Sequence, residues 1–534
     1  MSVEGSSELP STKKTIDVST KIVLATLNAR YIHSAFGLRY LKANLGDLQD
    51  RCLIEEFTLE SRPEDVVETL VQHQPKIIGF GVYIWNVVQT TQVVALLKAV
   101  APHITVVLGG PEVSYENEEQ AIVELSDYVI TGWGETSFRE LASELLESDD
   151  YANLQQEKPS SEKTIGQKII KGEQPKLENI TMPYHLYNDD DIKNRVLYVE
   201  ASRGCPFKCE FCLSALDKTA WPFDLDLFLE QMDILYKRGA RHFKFVDRTF
   251  NLKIKNSLRI LEFFLARIDE DLFLHFEVVP DHLPAALQEM IKKFPAGSLQ
   301  FEIGIQTFNP QVQARISRRQ DNDQAKTNIR WIRQHSNAYV HADLIFGLPG
   351  ETMASFASSF DQLHSLDPHE IQVGILKRLK GSPIIRHTAE HQLIFNPNPP
   401  FSILASNTVD YISVQEINRF ARYWDLIANS GRFKNTLDLL LGDSPFERFS
   451  IISKSLFHRS AQTHKISLLR LYDFIFSIAT EDLMLEASIV KPALQNDFST
   501  SGLKSTPKCL QIAHKQAKNS SNATNKHKAR QARH

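Results

Sequence analysis

Between residues 21 and 147, short apolar runs alternate with stretches whose apolar positions recur every three or four residues. KIVLATL, CLIEEF, KIIGFGVY, ITVVLGG and DYVIT have the length and β-branched content of buried strands. FGLRYLKANL, PEDVVETLVQH, VVQTTQVVALLKAV and ENEEQAIVEL lie between them, each with one apolar face, as amphipathic helices have. This alternation predicts a doubly wound parallel α/β sheet. Ligands bind such sheets beyond the carboxyl ends of the strands. That rule singles out Asn28, Tyr31 and His33 after the first run, Tyr83 and Trp85 after the third, Gly109, Gly110, Pro111 and Glu112 after the fourth, and Gly132 and Glu135 after the fifth. Glycine at such a place lets the backbone come close to a flat or bulky ligand. No GxGxxG follows the first run, so a dinucleotide fingerprint is absent.

From 148 to 195 the chain turns polar and reads as a linker with a Met182–Pro183–Tyr184 kink. Strand-like runs return over 196–379: RVLYVEA, HFKFVD, FLHFEVV, QFEIGIQ, VHADLIFG and EIQVGIL, separated by helical stretches such as DLDLFLEQMDILYKRG. Six β/α units imply an incomplete barrel of parallel strands, whose active face lies at the strands' carboxyl ends. The region 380–497 reads helical, with Tyr423, Trp424 and Phe433 expected in its core. Residues 1–20 and the basic tail 498–534 are too polar to bury a core and are expected to be disordered.

Composition adds limits rather than a function. In 534 residues the hydrophobic share is 42%, the charged share 23% and the net charge −5. Those values suit soluble domains and argue against nucleic acid as partner of the folded body. No apolar run is long enough to span a membrane, and MSVEGSSELPSTKKT lacks the apolar core of a secretion signal, so a cytoplasmic protein is expected.

Candidate chemistry concentrates in RGCPFKCEFCLS, which directly follows the first strand of the second α/β region. Cys205, Cys209 and Cys212 offer three thiolates, where a fully ligated iron–sulfur cube takes four. One iron would be left open for a ligand other than protein. Zinc sites use paired CxxC or Cys/His groups, and no second half lies nearby. Cys52 and Cys509 are distant, which disfavours a disulfide framework.

With TLNARYIHSAFGLRYL, GGPEVSYE, SRGCPFKCEFCLS, KFVDRTFN, FEIGIQTFNP and HADLIFGLPGET in this order, the chain resembles a cobalamin-dependent radical S-adenosylmethionine (SAM) protein, of a subgroup with a C-terminal extension of unassigned function. The resemblance runs from about Lys21 to Gly442. It implies a Rossmann-like cobalamin-binding domain, a partial (β/α)6 TIM-like radical SAM barrel and a helical C-terminal region. It implies a 4Fe–4S cluster on Cys205, Cys209 and Cys212, with SAM chelating the open iron. Phe211 would offer its backbone to the adenine, Glu302 and Gln306 would contact the ribose or methionyl part, and Ile345 and Gly347 would form an apolar shelf. Asp247 would meet the SAM amine or the substrate, although the usual GGE is missing there. Asp247 as a helix cap and Glu302 as an ion-pair partner are the alternatives. The residues singled out above at the strand ends of the first sheet would hold cobalamin. Cobalamin domains that ligate cobalt through protein usually show DxHxxG after the first strand. RYIHSAFG keeps a His but not the Asp, so His33 as cobalt ligand stands beside the reading of a histidine in the loop or one step behind the ligands.

The resemblance further implies electron delivery by a low-potential donor such as flavodoxin or ferredoxin, reductive SAM cleavage to a 5′-deoxyadenosyl radical, and methylation of an unactivated carbon. Cobalamin-assisted rearrangement or cyclisation, or a non-catalytic corrinoid-binding sensor, are the alternatives.

Overall fold

The computed structural model describes residues 20–152, 167–217 and 219–515, with side chains for 20–147, 167–217 and 219–511. Residues 1–19 and the tail beyond 515, both expected to be disordered, lie outside the described residues. The chain divides into two compact units between Tyr187 and Asn188.

In the first unit, β1 (Ile22–Asn28), α1 (Phe36–Ala43), β2 (Cys52–Thr58), α2 (Pro63–Gln72), β3 (Ile77–Gly81), α3 (Val87–Val100), β4 (Thr105–Gly109), α4 (Ala121–Leu125), β5 (Tyr128–Gly132), α5 (Glu135–Ala152) and β6 (Ile169–Gly172) follow in order. The sheet is parallel, in the order β2-β1-β3-β4-β5-β6. Residues 22–27 of β1 are wholly buried because helices cover both faces of a central parallel strand. One core, with Val23, Ala25, Ile78 and Val106, lies on one face; another, with Ile22, Leu24, Ile77 and Val107, lies on the other. The order reverses at β1 and β3, which opens the crevice between their carboxyl ends.

Part of the stretch that reads as a linker belongs to this unit. β6 pairs Ile169 and Ile170 with Val129 and Ile130 at the sheet edge. Four residues with a single buried position carry too weak a pattern to be read against their polar flanks. Farther on, Tyr184 and Tyr187 are buried; Tyr184 stacks on Phe36, and Arg39 lies over the Tyr187 ring.

The second unit opens with α6 (Asp189–Asn194), whose Asn188 and Asp191 form a capping box. Then come β7 (Leu197–Val199), an antiparallel ribbon of β8 (Ser202–Arg203) and β9 (Trp221–Pro222), α7 (Leu225–Lys237), β10 (His242–Phe245), α8 (Ile254–Leu265), β11 (Phe273–Val278), α9 (Ala285–Ile291), β12 (Leu299–Gln306), α10 (Pro310–Arg315), α11 (Asn322–His335), β13 (Tyr339–Phe346), α12 (Met353–His364) and β14 (Glu370–Ile375). Six parallel strands run β14-β13-β12-β11-β10-β7, the open arc of a partial barrel. Apolar residues such as Phe243, Phe245, Leu274, Phe276, Val340 and Ala342 are buried, while alternate positions bear Lys244, His275, Glu302 and His341.

Beyond β14 come α13 (Thr388–His391), the hairpin β15 (Ile394–Phe395) and β16 (Ile403–Ala405), and helices α14 (Tyr411–Trp424), α15 (Lys434–Leu441), α16 (Pro445–Ser460), α17 (Leu468–Ser477) and α18 (Ala487–Thr500). Phe360 of α12 meets Phe420, Trp424 and Phe446 edge-on, with ring centroids 4.8–5.8 Å apart, so the helical region shares a core with the barrel. Folded structure also continues past 498: Leu510 is buried and the Cys509 N–H donates to Asp473 at 2.9 Å. Polar composition hid this, because one leucine is enough to dock a short segment.

Candidate active site

The cysteine loop is a closed ear on the barrel. The β8–β9 ribbon forms its stem, and the Cys205 N–H donates to the Asp217 carbonyl at 3.0 Å. Gly204 has φ +87°, and a Cβ there would stand 2.1 Å from the Thr219 carbonyl oxygen, so only glycine turns the chain into the loop. The Cys212 N–H donates to the Cys209 carbonyl at 3.1 Å, folding the second and third cysteines together.

All three cysteines open onto one cavity of about 240 Å³. All three are free thiols. Burial pushes the Cys205 and Cys209 thiols upward; for Cys209 the Arg318 guanidinium, 3.6 Å from Sγ, works against that. Three soft sulfur donors lining one cavity are a fitting donor set for an iron–sulfur cluster.

Of the SAM residues expected from sequence, Phe211, Glu302 and Gln306 line this cavity. Gln306 is the distinctive one. Its backbone is left-handed, at φ +67°, and its buried Oε1 has no hydrogen-bond partner. A register shift between Gly304 and Gln306 accompanies the turn, and a Cβ on Gly304 would stand 2.3 Å from Gln306 Nε2. Strain of this kind persists where a site requires it. Glu302 accepts from His275 at 2.9 Å, with Lys244 at 3.5 Å. Burial alone would raise its pKa, but His275 and Lys244 more than reverse this and hold it well below the usual range.

The remaining expected residues lie elsewhere. Asp247 is buried, accepts from the Ala201 N–H at 3.0 Å and the Ser202 hydroxyl at 2.5 Å, and does not line the cavity; it fastens the start of the cysteine loop. Burial pushes its carboxyl up to about 7. Ile345 sits on the barrel-facing side of β13 with His341 and Asp343, but outside the lining. Gly347 faces protein instead of the cavity: a Cβ there would meet Cγ2 of Ile403 at 2.7 Å. Its bareness therefore admits a β16 side chain.

Among the lining residues that escaped the sequence reading are Glu277, Asp343, Arg318 and Arg319. Glu277 receives a two-pronged bond from Arg248, at 2.8 and 2.9 Å. Burial raises both the Glu277 and the Asp343 carboxyls. Register could have found them, because Glu277 pairs with Glu302 and Asp343 with Gly304 on adjacent strands. These carboxylates and guanidiniums, with the unsatisfied amide oxygen of Gln306, suit a ligand with amine, carboxylate and hydroxyl groups, as SAM has.

In the first unit, the residues expected to hold cobalamin all fall at the carboxyl ends of β1, β3, β4 and β5. Their roles divide. Tyr31 and Trp85 are exposed, and Trp85 stacks on Tyr83 with ring centroids 4.4 Å apart. Gly109, Gly110, Pro111 and Gly132 leave backbone accessible, and Gly110 has φ +110° with a Cβ position 2.5 Å from the Val82 carbonyl oxygen. Flat rings and side-chain-free backbone at a topological switch point fit a corrin. Asn28, in contrast, spends its amide on Glu56 and the His33 carbonyl, and Glu112 and Glu135 are buried, so these shape the loops. His33 lies in the β1 loop, its N–H bonded to the Arg30 carbonyl. Asn86, missed from sequence, is wholly buried and donates to Thr26, Leu27 and Gly81 while accepting from the Tyr83 N–H, which ties the β1 and β3 ends together.

Three family models match in succession: the B12 binding domain over 22–142, the radical SAM superfamily over 199–363, and a protein of unknown function, DUF4080, over 389–534. The chain carries a B12 binding domain followed by a radical SAM domain, the pairing of cobalamin-dependent radical SAM proteins. These matches make it an enzyme that uses cobalamin and SAM. It is similar to an uncharacterised methyltransferase of Pyrococcus horikoshii, 23% identical over 68% of this chain and 80% of that one. It is also similar to the cobalamin-dependent radical SAM methyltransferase TokK of Streptomyces tokunonensis, 25% identical over 58% of this chain but only 48% of TokK. Among solved structures, the fold matches the cobalamin-dependent SAM radical enzyme OxsB with TM-score 0.57 at 15% identity, over 90% of this chain and 79% of OxsB. It matches the methyltransferase TsrM of Kitasatospora setae with TM-score 0.52 at 18% identity, over 70% of this chain and 78% of TsrM.

Proposed function

We propose that this enzyme is a methyltransferase that acts on an unactivated carbon, with Cys205, Cys209 and Cys212 holding the cluster and Glu277, Gln306, Arg318 and Asp343 holding SAM. The observation that carries the reading is the one cavity shared by the three thiols and the strained, unsatisfied Gln306. When bound, the cofactors supply the radical and methyl chemistry. The chain's own residues bind and orient. Arg318 and Arg319 would meet the methionyl carboxylate, Asp343 its ammonium, Glu277 the ribose hydroxyls, and the backbone beside Phe211 the adenine. Tyr31, Tyr83, Trp85 and the accessible backbone of Gly109, Gly110, Pro111 and Gly132 would hold the corrin, with His33 beside it in the β1 loop. Among the described residues no helix is long and apolar enough to cross a membrane, and we place the enzyme in the cytoplasm, served by a low-potential donor such as flavodoxin or ferredoxin.

The test is anaerobic reconstitution with iron, sulfide and hydroxocobalamin, followed by desalting, spectroscopy and measurement of 5′-deoxyadenosine formed from SAM. The wild type should retain both chromophores and release 5′-deoxyadenosine; Cys205→Ala should lose the cluster absorbance and SAM cleavage but keep the corrin. Cluster absorbance and SAM cleavage surviving in Cys205→Ala would sink the cysteine assignment. Failure of the wild type to retain corrin would sink the first-unit assignment.

A further inference from the structure

The sequence between the second and third cysteines holds a residue that faces away from the cavity. Cys209, Phe211 and Cys212 line the cavity, whereas Glu210 does not, and it is only 2% exposed. A carboxylate buried so deeply is costly unless it is paired and hydrogen-bonded. Here it has three donors: the Ser317 hydroxyl at 2.5 Å, His387 Nε2 at 2.7 Å, and the Arg386 guanidinium. The backbone is fastened as well. The Glu210 N–H donates to the Ile316 carbonyl at 3.1 Å, and its carbonyl accepts from the Ile384 N–H at 2.9 Å. One residue thus joins three segments: the cysteine loop, the turn after α10, and the stretch 384–387 that leads into the C-terminal helical region.

The turn after α10 converts this fastening into a contact with a cysteine. Ser317 has a left-handed backbone, at φ +54°, so successive side chains diverge. Ser317 reaches Glu210, while Arg318 reaches Cys209 Sγ at 3.6 Å. Two adjacent rungs, Glu210–Ser317 and Cys209–Arg318, therefore hold the two loops in register. Release of the first lets the second shift.

We infer that Glu210 is a positioning residue, through which Arg386 and His387 at the start of the C-terminal region clamp the cysteine loop and set the hydrogen bond that Arg318 gives Cys209. The inference rests on the cluster reading above and assigns the C-terminal region a task in that site. Hydrogen bonds to cluster sulfurs set reduction potential, and outer partners of metal ligands typically alter metal affinity ~10–100-fold.

The experiment uses the full chain reconstituted anaerobically with iron and sulfide. Iron content, the rate of iron loss to a chelator and the cluster midpoint potential, followed by electron paramagnetic resonance, are measured for wild type, Glu210→Ala, Ser317→Ala, Arg386→Ala and the Glu210→Ala/Arg386→Ala double variant. Glu210→Ala should lose iron about tenfold faster and shift the potential. Arg386→Ala should do so more weakly, and the double variant should be no worse than Glu210→Ala alone, since both act through one contact. Ser317→Ala and Arg386→Ala stand in if Glu210→Ala does not fold. A cluster-bearing wild type matched in loss rate and potential by the variants overturns this inference alone. A folded wild type that takes up no cluster overturns the site reading and this inference with it.

Discussion

Gly347→Ala decides whether the bare backbone of the GLPGE segment makes room for a cofactor or for protein. The added methyl would lie 2.7 Å from Cγ2 of Ile403, where ordinary contact begins near 3.4 Å. Ile403 is 1% exposed, and its N–H is bonded to the Leu376 carbonyl at 2.8 Å. A β-branched side chain in that position has no easy rotamer to retreat to. Overpacking should cost about 1–3 kcal/mol, and a non-glycine residue at φ +89° a further ~1–3 kcal/mol. Gly347→Ala should therefore destabilise the protein by about 2–6 kcal/mol. The assay is denaturant unfolding in a double-mutant cycle with Ile403→Ala. The steric part disappears when Ile403 is truncated, so Gly347→Ala should cost about 1–3 kcal/mol less in that background. Strict additivity, or an undiminished midpoint accompanied by lost SAM affinity, would refute the packing account and return Gly347 to the adenine shelf.

Gln306→Gly should raise stability by about 1 kcal/mol, by relieving the left-handed backbone at φ +67°, while lowering SAM affinity about tenfold as an amide contact is lost; calorimetric binding and unfolding midpoints would read the opposite signs, and a loss of both would mark Gln306 as structural. Glu351→Gln addresses pH. Glu351 is wholly buried, and burial lifts its carboxyl from 4.5 to about 8 against the bond from Thr307. The folded state thus holds a proton that the unfolded state releases between these values, so stability falls as pH rises through that window, by up to ~1.4 kcal/mol per pH unit. The amide variant lacks this slope and should gain on the wild type by about 3 kcal/mol between pH 5.5 and 8, measured by denaturant unfolding at both. Parallel pH profiles would show that Glu351 is ionised in the folded protein throughout.

The strands of both sheets were legible because each is an apolar run bounded by polar turns, and parallel strands buried on both faces leave that pattern intact. Legibility ended where partners come from distant sequence. Glu277 and Asp343 look like lone acids in FLHFEVV and VHADLIFG; only the pairing of adjacent strands brings them to the cavity. Asp247 ends the right strand, yet its carboxylate turns back to Ala201 and Ser202, a choice that no local pattern encodes. Glu210 escaped notice for a related reason. Between two cysteines it reads as a spacer, and its three side-chain partners lie 107–177 residues away.

The same strands do announce one property beyond their existence. HFKF, FLHFEV and YVHADLIF set a charged or imidazole side chain at alternate positions of otherwise apolar runs. A barrel filled by Val, Ile and Leu would not need them. In the structure they connect: Lys244 and His275 meet Glu302, and His341 bridges Asp343 at 3.1 Å and Glu370 at 2.8 Å. Burial would lower the His341 pKa, but these two carboxylates raise it to about 10, so the imidazole carries its charge between them. Glu302 and Asp343 belong both to this ladder and to the cavity lining. The barrel interior therefore reaches the site through these bonded charges. A charge removed low in the ladder, at Glu370 for instance, acts on the cavity through His341 and Asp343 without touching its ligand.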